Sequence, residues 1–170
     1  MRSTKRGEGT RRTAVRRALL RLVLAAAAAG SLGAISITVS GSWSAVIDVS
    51  SLQGGPGTDL IPVQESPAGS AALTVDETNR QGWEITVRRI DGTWPAGLAL
   101  AVKRASDGMG SGTVSGGTAY QSVTEIDQPF FSGSRNRVHI DLRFQLSGLS
   151  VKIPPSAYST TIVYTVVQTI

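Results

Sequence analysis

The residues best suited to chemistry in this sequence are its single histidine and a nearby aspartate. His139 and Asp141 lie two positions apart in a segment of alternating polar and apolar residues, so both side chains face the same side of a predicted strand. A carboxylate placed there can orient an imidazole for acid–base chemistry. Serine is so frequent in this chain that it does not identify a nucleophile. The pattern favours a solvated strand face over a catalytic pair.

Other motifs point away from catalysis as well. Gly108-Met109-Gly110-Ser111-Gly112 matches a phosphate-binding loop only in its glycines, because no lysine occupies the Walker position and no helical pattern follows. One histidine and no cysteine are too few for a histidine or thiolate metal site. The acidic residues have neither calcium-loop spacing nor a recognisable glycosidase pair. We therefore predict no catalytic residues, no cofactor and no metal, and expect a protein that is not an enzyme.

The charge of the chain is divided unevenly. The formal net charge is +5, but residues 1–34 hold eight of the 17 basic residues and one of the 12 acidic residues. The remaining residues therefore carry a formal net charge of −2. A protein that binds nucleic acid needs positive charge on its folded surface, so we exclude nucleic acid as a partner.

Residues 1–34 have the features of an export leader. An arginine-rich stretch is followed by apolar residues 22–29 and then by small residues that include Ser31 and Gly33. We predict a signal peptide over residues 1–34, contact with the membrane only during export, and a mature chain that starts at Ala34 or Ile35. The expected location is secreted and associated with the cell surface of a bacterium.

Two properties of the leader stay open. Arg16-Arg17 also fits a twin-arginine export signal, so the general and twin-arginine routes are both compatible with the sequence. Residues 22–47 contain no charge and are long enough to span a bilayer as an uncleaved anchor. From Ile35 onward, however, apolar and hydroxyl residues alternate as in a strand, which favours cleavage.

The exported part has the composition and periodicity of an all-β domain. Apolar residues make up 41% of the chain, charged residues 17%, and 19 glycines are present, which favours a folded β-protein over a disordered one. A period of two dominates residues 35–170. Strands are expected over 35–39, 43–49, 71–76, 83–90, 98–104, 120–126, 137–146, 149–153 and 158–170. Loops are expected over 50–70, 107–118 and 127–136.

The segment Arg137–Leu146 gives the clearest pattern. Its alternation predicts that Val138, Ile140, Leu142, Phe144 and Leu146 face the core, with Arg137 and His139 in solvent. Trp83, Ile85 and Val87 should pack against that apolar face from the other sheet. We predict one domain over residues 35–170, an immunoglobulin-like antiparallel β-sandwich of about 7–9 strands.

Two short segments add a family resemblance. Asp76 and Arg80 precede Gly82-Trp83-Glu84-Ile85, and the chain ends in a strand containing Tyr164-Thr165-Val166. Together they resemble the two Trp-x-Leu motifs of WxL-domain bacterial cell-surface proteins, with Tyr and Val replacing Trp and Leu in the second. The resemblance covers about residues 60–170 and implies non-covalent attachment to the cell wall. It implies binding roles for Trp83, Ile85, Tyr164 and Val166, and the same residues can equally be core residues.

Two functions remain open at this stage. The first is an exported, non-catalytic domain that attaches non-covalently to a cell-wall polymer or to partner surface proteins. The second is a self-assembling subunit of a surface fibre or coat. In that case Ile35, Ile37 and Val39 would form a strand donated to a neighbouring copy. The alternative for this segment is an ordinary first strand within its own domain.

Overall fold

The structure is a computed structural model that describes residues 18–27 and 35–169, with side chains described for 35–169. These residues contain twelve strands and one 3₁₀ turn, Val49–Ser51. The strands are β1 (Ala18–Ala27), β2 (Ser36–Gly41), β3 (Trp43–Ile47), β4 (Val63–Glu65), β5 (Ala71–Asp76), β6 (Gly82–Thr93), β7 (Ala99–Arg104), β8 (Val114–Gly116), β9 (Gln121–Ser122), β10 (Gln128–Ser134), β11 (Arg137–Ser147) and β12 (Tyr158–Thr169).

The strands form two sheets. The first has the order β3-β1-β12-β6-β10-β8, and the second has the order β2-β5-β11-β7-β9 with β4 paired to β11. Every pairing is antiparallel except that of β1 with β12, which is parallel. The predicted β-sandwich is therefore confirmed. No helix within the described ranges is long and apolar enough to cross a membrane.

The core lies between the two sheets and uses alternate residues of each long strand. Trp83, Ile85 and Val87 of β6 have no exposed surface, and neither do Leu142 and Phe144 of β11. Both sets belong to one hydrophobic cluster, so β6 packs against β11 as the sequence predicts. Successive side chains of a strand point to opposite faces, so each of these strands presents one apolar face to the other sheet.

The first residues of β11 depart from the predicted alternation. Arg137 pairs with Val75 and Ile140 with Leu73, so β11 has one extra residue between these pairs and forms a β-bulge. Before Ile140 the bulge therefore exchanges the buried and exposed positions of the strand. His139, within the bulge, has a φ of 61°. The prediction was therefore wrong for two residues, since Arg137 is buried and Val138 is 44% exposed. The Arg137 guanidinium donates to the carbonyl of Gly112.

Several further segments differ from the sequence prediction. The expected loop over 127–136 contains β10, which pairs with both β6 and β8. Position 133 of this strand requires a glycine, because a Cβ there would overlap the indole ring of Trp83. The expected strand over 149–153 is a turn, in which the amide of Ile153 donates to the carbonyl of Ser150. The expected strand over 120–126 is shortened to β9.

We expect Trp83→Ala to lower the free energy of unfolding by about 3–5 kcal/mol, because it removes the largest fully buried side chain. The indole Nε1 also donates to the carbonyl of Arg135 at 2.9 Å, and the ring meets Phe131 edge-on at 6.0 Å. Urea unfolding followed by circular dichroism measures the loss. Trp83→Phe, which keeps an aromatic ring there, should lose less. An unchanged urea midpoint for the alanine variant would show that Trp83 does not support the core.

Candidate functional site

In the first sheet β1 lies between β3 and β12, in a position that we call the slot. The slot is the space between the facing edges of β3 and β12. β1 pairs with β12 from Leu20↔Tyr158 to Ala27↔Thr165, and with β3 from Ala18↔Ile47 to Leu22↔Trp43. Among the described strands, β3 joins the first sheet only through β1. A single segment therefore satisfies the backbone groups of two strand edges.

The segment in the slot overlaps the predicted leader. β1 covers residues 18–27, and the sequence predicts a signal peptide over residues 1–34. Residues 1–17 and 28–34, including the predicted cleavage region, lie outside the described residues. Removal of the leader stays a prediction, but the structure shows which strand the removal would take from the sheet.

The two strands that border the slot contribute to the core. On β3, Trp43 and Ala45 are buried, and the Trp43 ring stacks with Phe144 at a centroid distance of 6.3 Å. On β12, Ile162 and Tyr164 have no exposed surface. A segment in the slot therefore connects two strands whose side chains already belong to the core.

One end of the slot opens into an apolar cavity of about 280 Å³, which we call the end cavity. Its lining includes Ile47 and Tyr158, the residues paired with Ala18 and Leu20 at the start of β1. The remaining apolar lining comes mainly from the 3₁₀ turn and from the segments that flank it and precede β12: Val49, Leu52, Leu60, Leu98, Leu146, Leu149, Val151, Ile153, Pro154 and Pro155.

Two aspartates hold the loops around the end cavity. The Asp48 side chain caps the 3₁₀ turn by accepting from the amide of Ser50 at 2.9 Å. Asp59 accepts from the amides of Val151 and Leu60, each at 2.8 Å, and from the hydroxyl of Ser150 at 3.1 Å. The hydrogen bonds from the Val151 and Leu60 amides lower the pKa of Asp59 below its ordinary value. The bond to Val151 also explains why residues 149–153 form a turn rather than a strand.

The residues assigned by the WxL resemblance come together in the first sheet. Val166 of β12 pairs directly with Ile85 of β6, so the two motifs lie on neighbouring strands. Trp83, Ile85 and Tyr164 have no exposed surface, and Val166 is partly buried against the core. The Tyr164 hydroxyl is buried without a hydrogen-bond partner, and burial raises its pKa. These positions fit a core role, the alternative that the sequence left open.

The predicted donor segment lies within its own sheet. Ile35 precedes β2, and Ile37 and Val39 pair with Val75 and Leu73 of β5. Ile35 and Ile37 are buried. In this structure the segment therefore forms an ordinary intramolecular strand, and β1 is the N-terminal segment that fills a gap between strands.

The candidate chemical groups lie on the opposite sheet. The Nε2 of His139 is 3.5 Å from Asp141 Oδ1, and the histidine side chain is 63% exposed. No group of three or more histidine, aspartate or glutamate side chains that could hold a metal occurs among the residues the structure describes. This arrangement is an exposed ion pair when the histidine is protonated, and it is separate from the slot.

A cleft of polar residues surrounds the turn before β6. Glu77, Asn79, Arg80 and Arg135 all have positive φ values, and Asn136 Oδ1 accepts from the hydroxyl of the buried Thr78 at 2.7 Å. The amide of Arg135 donates to Gln81, and the carbonyl of Arg135 receives the Trp83 indole. These bonds tie the turn that carries the first motif to the loop between β10 and β11, which gives the strained backbone a structural role.

No protein-family model matches the chain, and no curated protein matches it either.

The register of β1 predicts a specific cross-link. The chain has no cysteine, so Arg21→Cys combined with Ser44→Cys introduces the only two thiols, at positions that pair across β1 and β3. We expect oxidation to form an intramolecular disulfide, detected by mass spectrometry of unreduced peptides. The matched control combines Arg21→Cys with Ser115→Cys on β8, at the opposite edge of the same sheet. Equal cross-linking in both pairs would show that β1 does not occupy the slot.

Acid should release the Asp59 contacts. Because the folded-state pKa of Asp59 lies below its ordinary value of 3.8, its stabilising effect is present above that value and is lost as the pH falls through the lowered pKa. We expect Asp59→Asn to be less stable than the parent at pH 7, with the difference shrinking in strong acid. Thermal unfolding across this pH range measures it. Glu125→Gln, at an exposed position, is the control, and a constant difference at every pH would contradict the assignment.

Proposed function

We propose that this chain is an exported, non-catalytic surface protein that attaches non-covalently to other surface components by accepting an extended strand in the slot. The observation that supports this most strongly is the coincidence of β1 with the predicted leader. If export removes residues 1–34, the edges of β3 and β12 lose the segment that pairs with both of them. The exported chain then presents two unpaired edges separated by the width of one strand.

An empty slot is unfavourable for physical reasons. Unpaired strand edges are templates for pairing with another chain, and buried backbone groups without partners cost about 1–3 kcal/mol each. β3 would also lose its one described connection to the first sheet, although Trp43 and Ala45 are part of the core. An extended segment from another molecule restores both ladders at once, which is the β-augmentation mode of peptide recognition.

A partner surface protein is the occupant that best fits the mature chain. Without β1, every described strand from β2 to β12 except β3 still pairs with another strand of the chain, and this includes the segment around Ile37 and Val39. A mature copy that donated one of these paired strands would have to give up pairing of its own. The self-assembling fibre subunit is the second candidate, supported by the fact that residues 18–27 of an unprocessed copy match the slot of another copy.

Attachment to a cell-wall polymer, as the WxL resemblance implies, has less support from the geometry. Trp83, Ile85 and Tyr164 have no exposed surface with which to contact a polymer. The proposal therefore places attachment at the slot and assigns these residues to the sheet that carries it.

Processing should change the association state of the protein. We expect the exported form to begin at Ala34 or Ile35 and to be recovered with a partner protein or as multimers. The intact chain, produced without export, should be a monomer. N-terminal sequencing and multi-angle light scattering test this. An exported form that keeps residues 18–27 would contradict the proposal, as would one that lacks them but is a monomer as stable to urea as the intact chain.

A further inference from the structure

The cleft of polar residues around the turn before β6, which we call the polar cleft, is separate from the slot. It is lined by residues 77–80, 111 and 135–136. Its volume is about 450 Å³, and none of its lining residues belongs to β1. Thr169 near the end of β12 pairs with Gly82, whereas the end cavity lies beside Tyr158, where β12 begins. The polar cleft and the end cavity therefore lie near opposite ends of β12.

The arginines of the sandwich fall into two groups. Residues 35–169 contain seven arginines, and in five of them the guanidinium has a carboxylate or carbonyl partner within the chain: Arg88, Arg89, Arg104, Arg137 and Arg143. Among the residues that the structure describes, the guanidinium groups of Arg80 and Arg135 have no ion-pair or hydrogen-bond partner. Both arginines are exposed, and both line the polar cleft. The guanidinium groups that the fold itself does not use are thus gathered at one place.

Hydrogen bonds hold together the two segments that carry these arginines. The amide of Arg135 donates to the carbonyl of Gln81, the residue after Arg80, at 3.1 Å. The hydroxyl and the amide of Thr78 both donate to Asn136 Oδ1, at 2.7 Å and 3.2 Å. The backbone around the polar cleft is therefore fixed before a ligand arrives, and binding costs little backbone ordering.

The glycine-rich loop forms another wall of the polar cleft through Ser111. The buried Arg137 guanidinium donates to the carbonyl of Gly112, and the amide of Ser134 donates to the carbonyl of Thr113 at 2.9 Å. These bonds fix the loop next to Ser111. Arg137 is therefore occupied in holding the wall, whereas Arg80 and Arg135 remain available to a ligand.

The charge and polarity of the lining suit an oxyanion. A guanidinium presents several N–H donors in one plane, which match the oxygens of a carboxylate or a phosphate. Glu77 also lines the polar cleft, so its two arginines and one carboxylate give a formal charge of +1. An anion with a single charge balances this lining. Every lining residue is polar, which favours a ligand whose remaining surface is polar as well.

We propose that the polar cleft is a binding site for a singly charged oxyanion carried by a polar ligand, the group that carboxylates and phosphodiesters have in common. Arg80 and Arg135 bind the anionic oxygens, and the Ser111 hydroxyl and the Asn79 side chain supply neutral hydrogen bonds to the rest of the ligand. This site goes beyond the proposed function, because it requires neither the slot nor removal of the leader.

Titration of the intact, ¹⁵N-labelled chain followed by NMR tests the site directly. The anionic probes are diethyl phosphate and N-acetylglycine, and their neutral counterparts are triethyl phosphate and N-acetylglycinamide. We expect both anions to shift the amide signals of residues 77–81 and 135–136 in a saturable way, and the neutral compounds to leave them unchanged. The tighter of the two anions identifies the preferred source of the oxyanion. No saturable shift with either anion, or equal shifts with the neutral compounds, would overturn the proposal.

Substitution of the two arginines locates the bound anion. Arg80→Gln and Arg135→Gln remove the charge from side chains that hold no other described group, so both variants should fold as the parent does. We expect each to weaken binding of the preferred anion by about 5-fold or more. Arg88→Gln is the matched control, because Arg88 lies outside the polar cleft and pairs with Asp127 at 3.6 Å. Binding by Arg80→Gln and Arg135→Gln as tight as that of Arg88→Gln would contradict the assignment.

Removal of the one carboxylate in the lining should act in the opposite direction. Glu77→Gln takes a like charge away from the bound anion, so we expect it to strengthen binding by about 2- to 5-fold at low salt and by less as ionic strength rises. Glu125→Gln, at an exposed position outside the polar cleft, is the control and should leave the affinity unchanged. An affinity that Glu77→Gln lowers or leaves at the control value would show that the anion does not bind beside Glu77.

Discussion

The double pairing of β12 is the constraint on which the rest of the structure depends. Ile162, Val163 and Tyr164 are buried in succession, so this strand is apolar on both faces and cannot serve as an open edge without exposing that surface to other chains. β6 satisfies one edge along almost the whole strand, and β1 satisfies most of the other. The segment in the slot therefore determines whether the facing edges of β12 and β3 have hydrogen-bond partners.

This constraint also explains the position of the end cavity. β12 starts at Tyr158, a few residues after the segment that Asp59 holds at Val151, and β3 ends at Ile47, directly before the 3₁₀ turn that Asp48 caps. The ends of the two slot-bordering strands thus open into loops that are fixed by the side-chain hydrogen bonds of Asp48 and Asp59 rather than by a ladder. An apolar cavity between such loops is adjacent to the slot because the same two strands define both.

The sequence predicted the sandwich, the bounds of β5 and the core face of β11 from Ile140 onward, because local alternation reports directly which face of a strand is buried. It missed features that depend on distant residues. β10 contains Pro129 and Gly133, which locally suggest a loop, yet Gly133 is what allows the Trp83 ring to lie against that strand. The bulge before Ile140 depends on pairing with β5, and the turn at 149–153 depends on Asp59, some ninety residues earlier.

The slot could not be predicted from the sequence, and β1 shows why. A short apolar run is compatible with a leader and with a buried strand, since each requires apolar residues over about ten positions. Only the long-range register with β3 and β12 distinguishes a segment that can fill the sheet from one that cannot. If that segment is removed on export, the stability of the remaining sandwich becomes coupled to its partner by mass action, because a strand that binds only the folded state stabilises it in proportion to its affinity and concentration. A slot that accepts a partner's strand would then make folding and partner binding a single equilibrium.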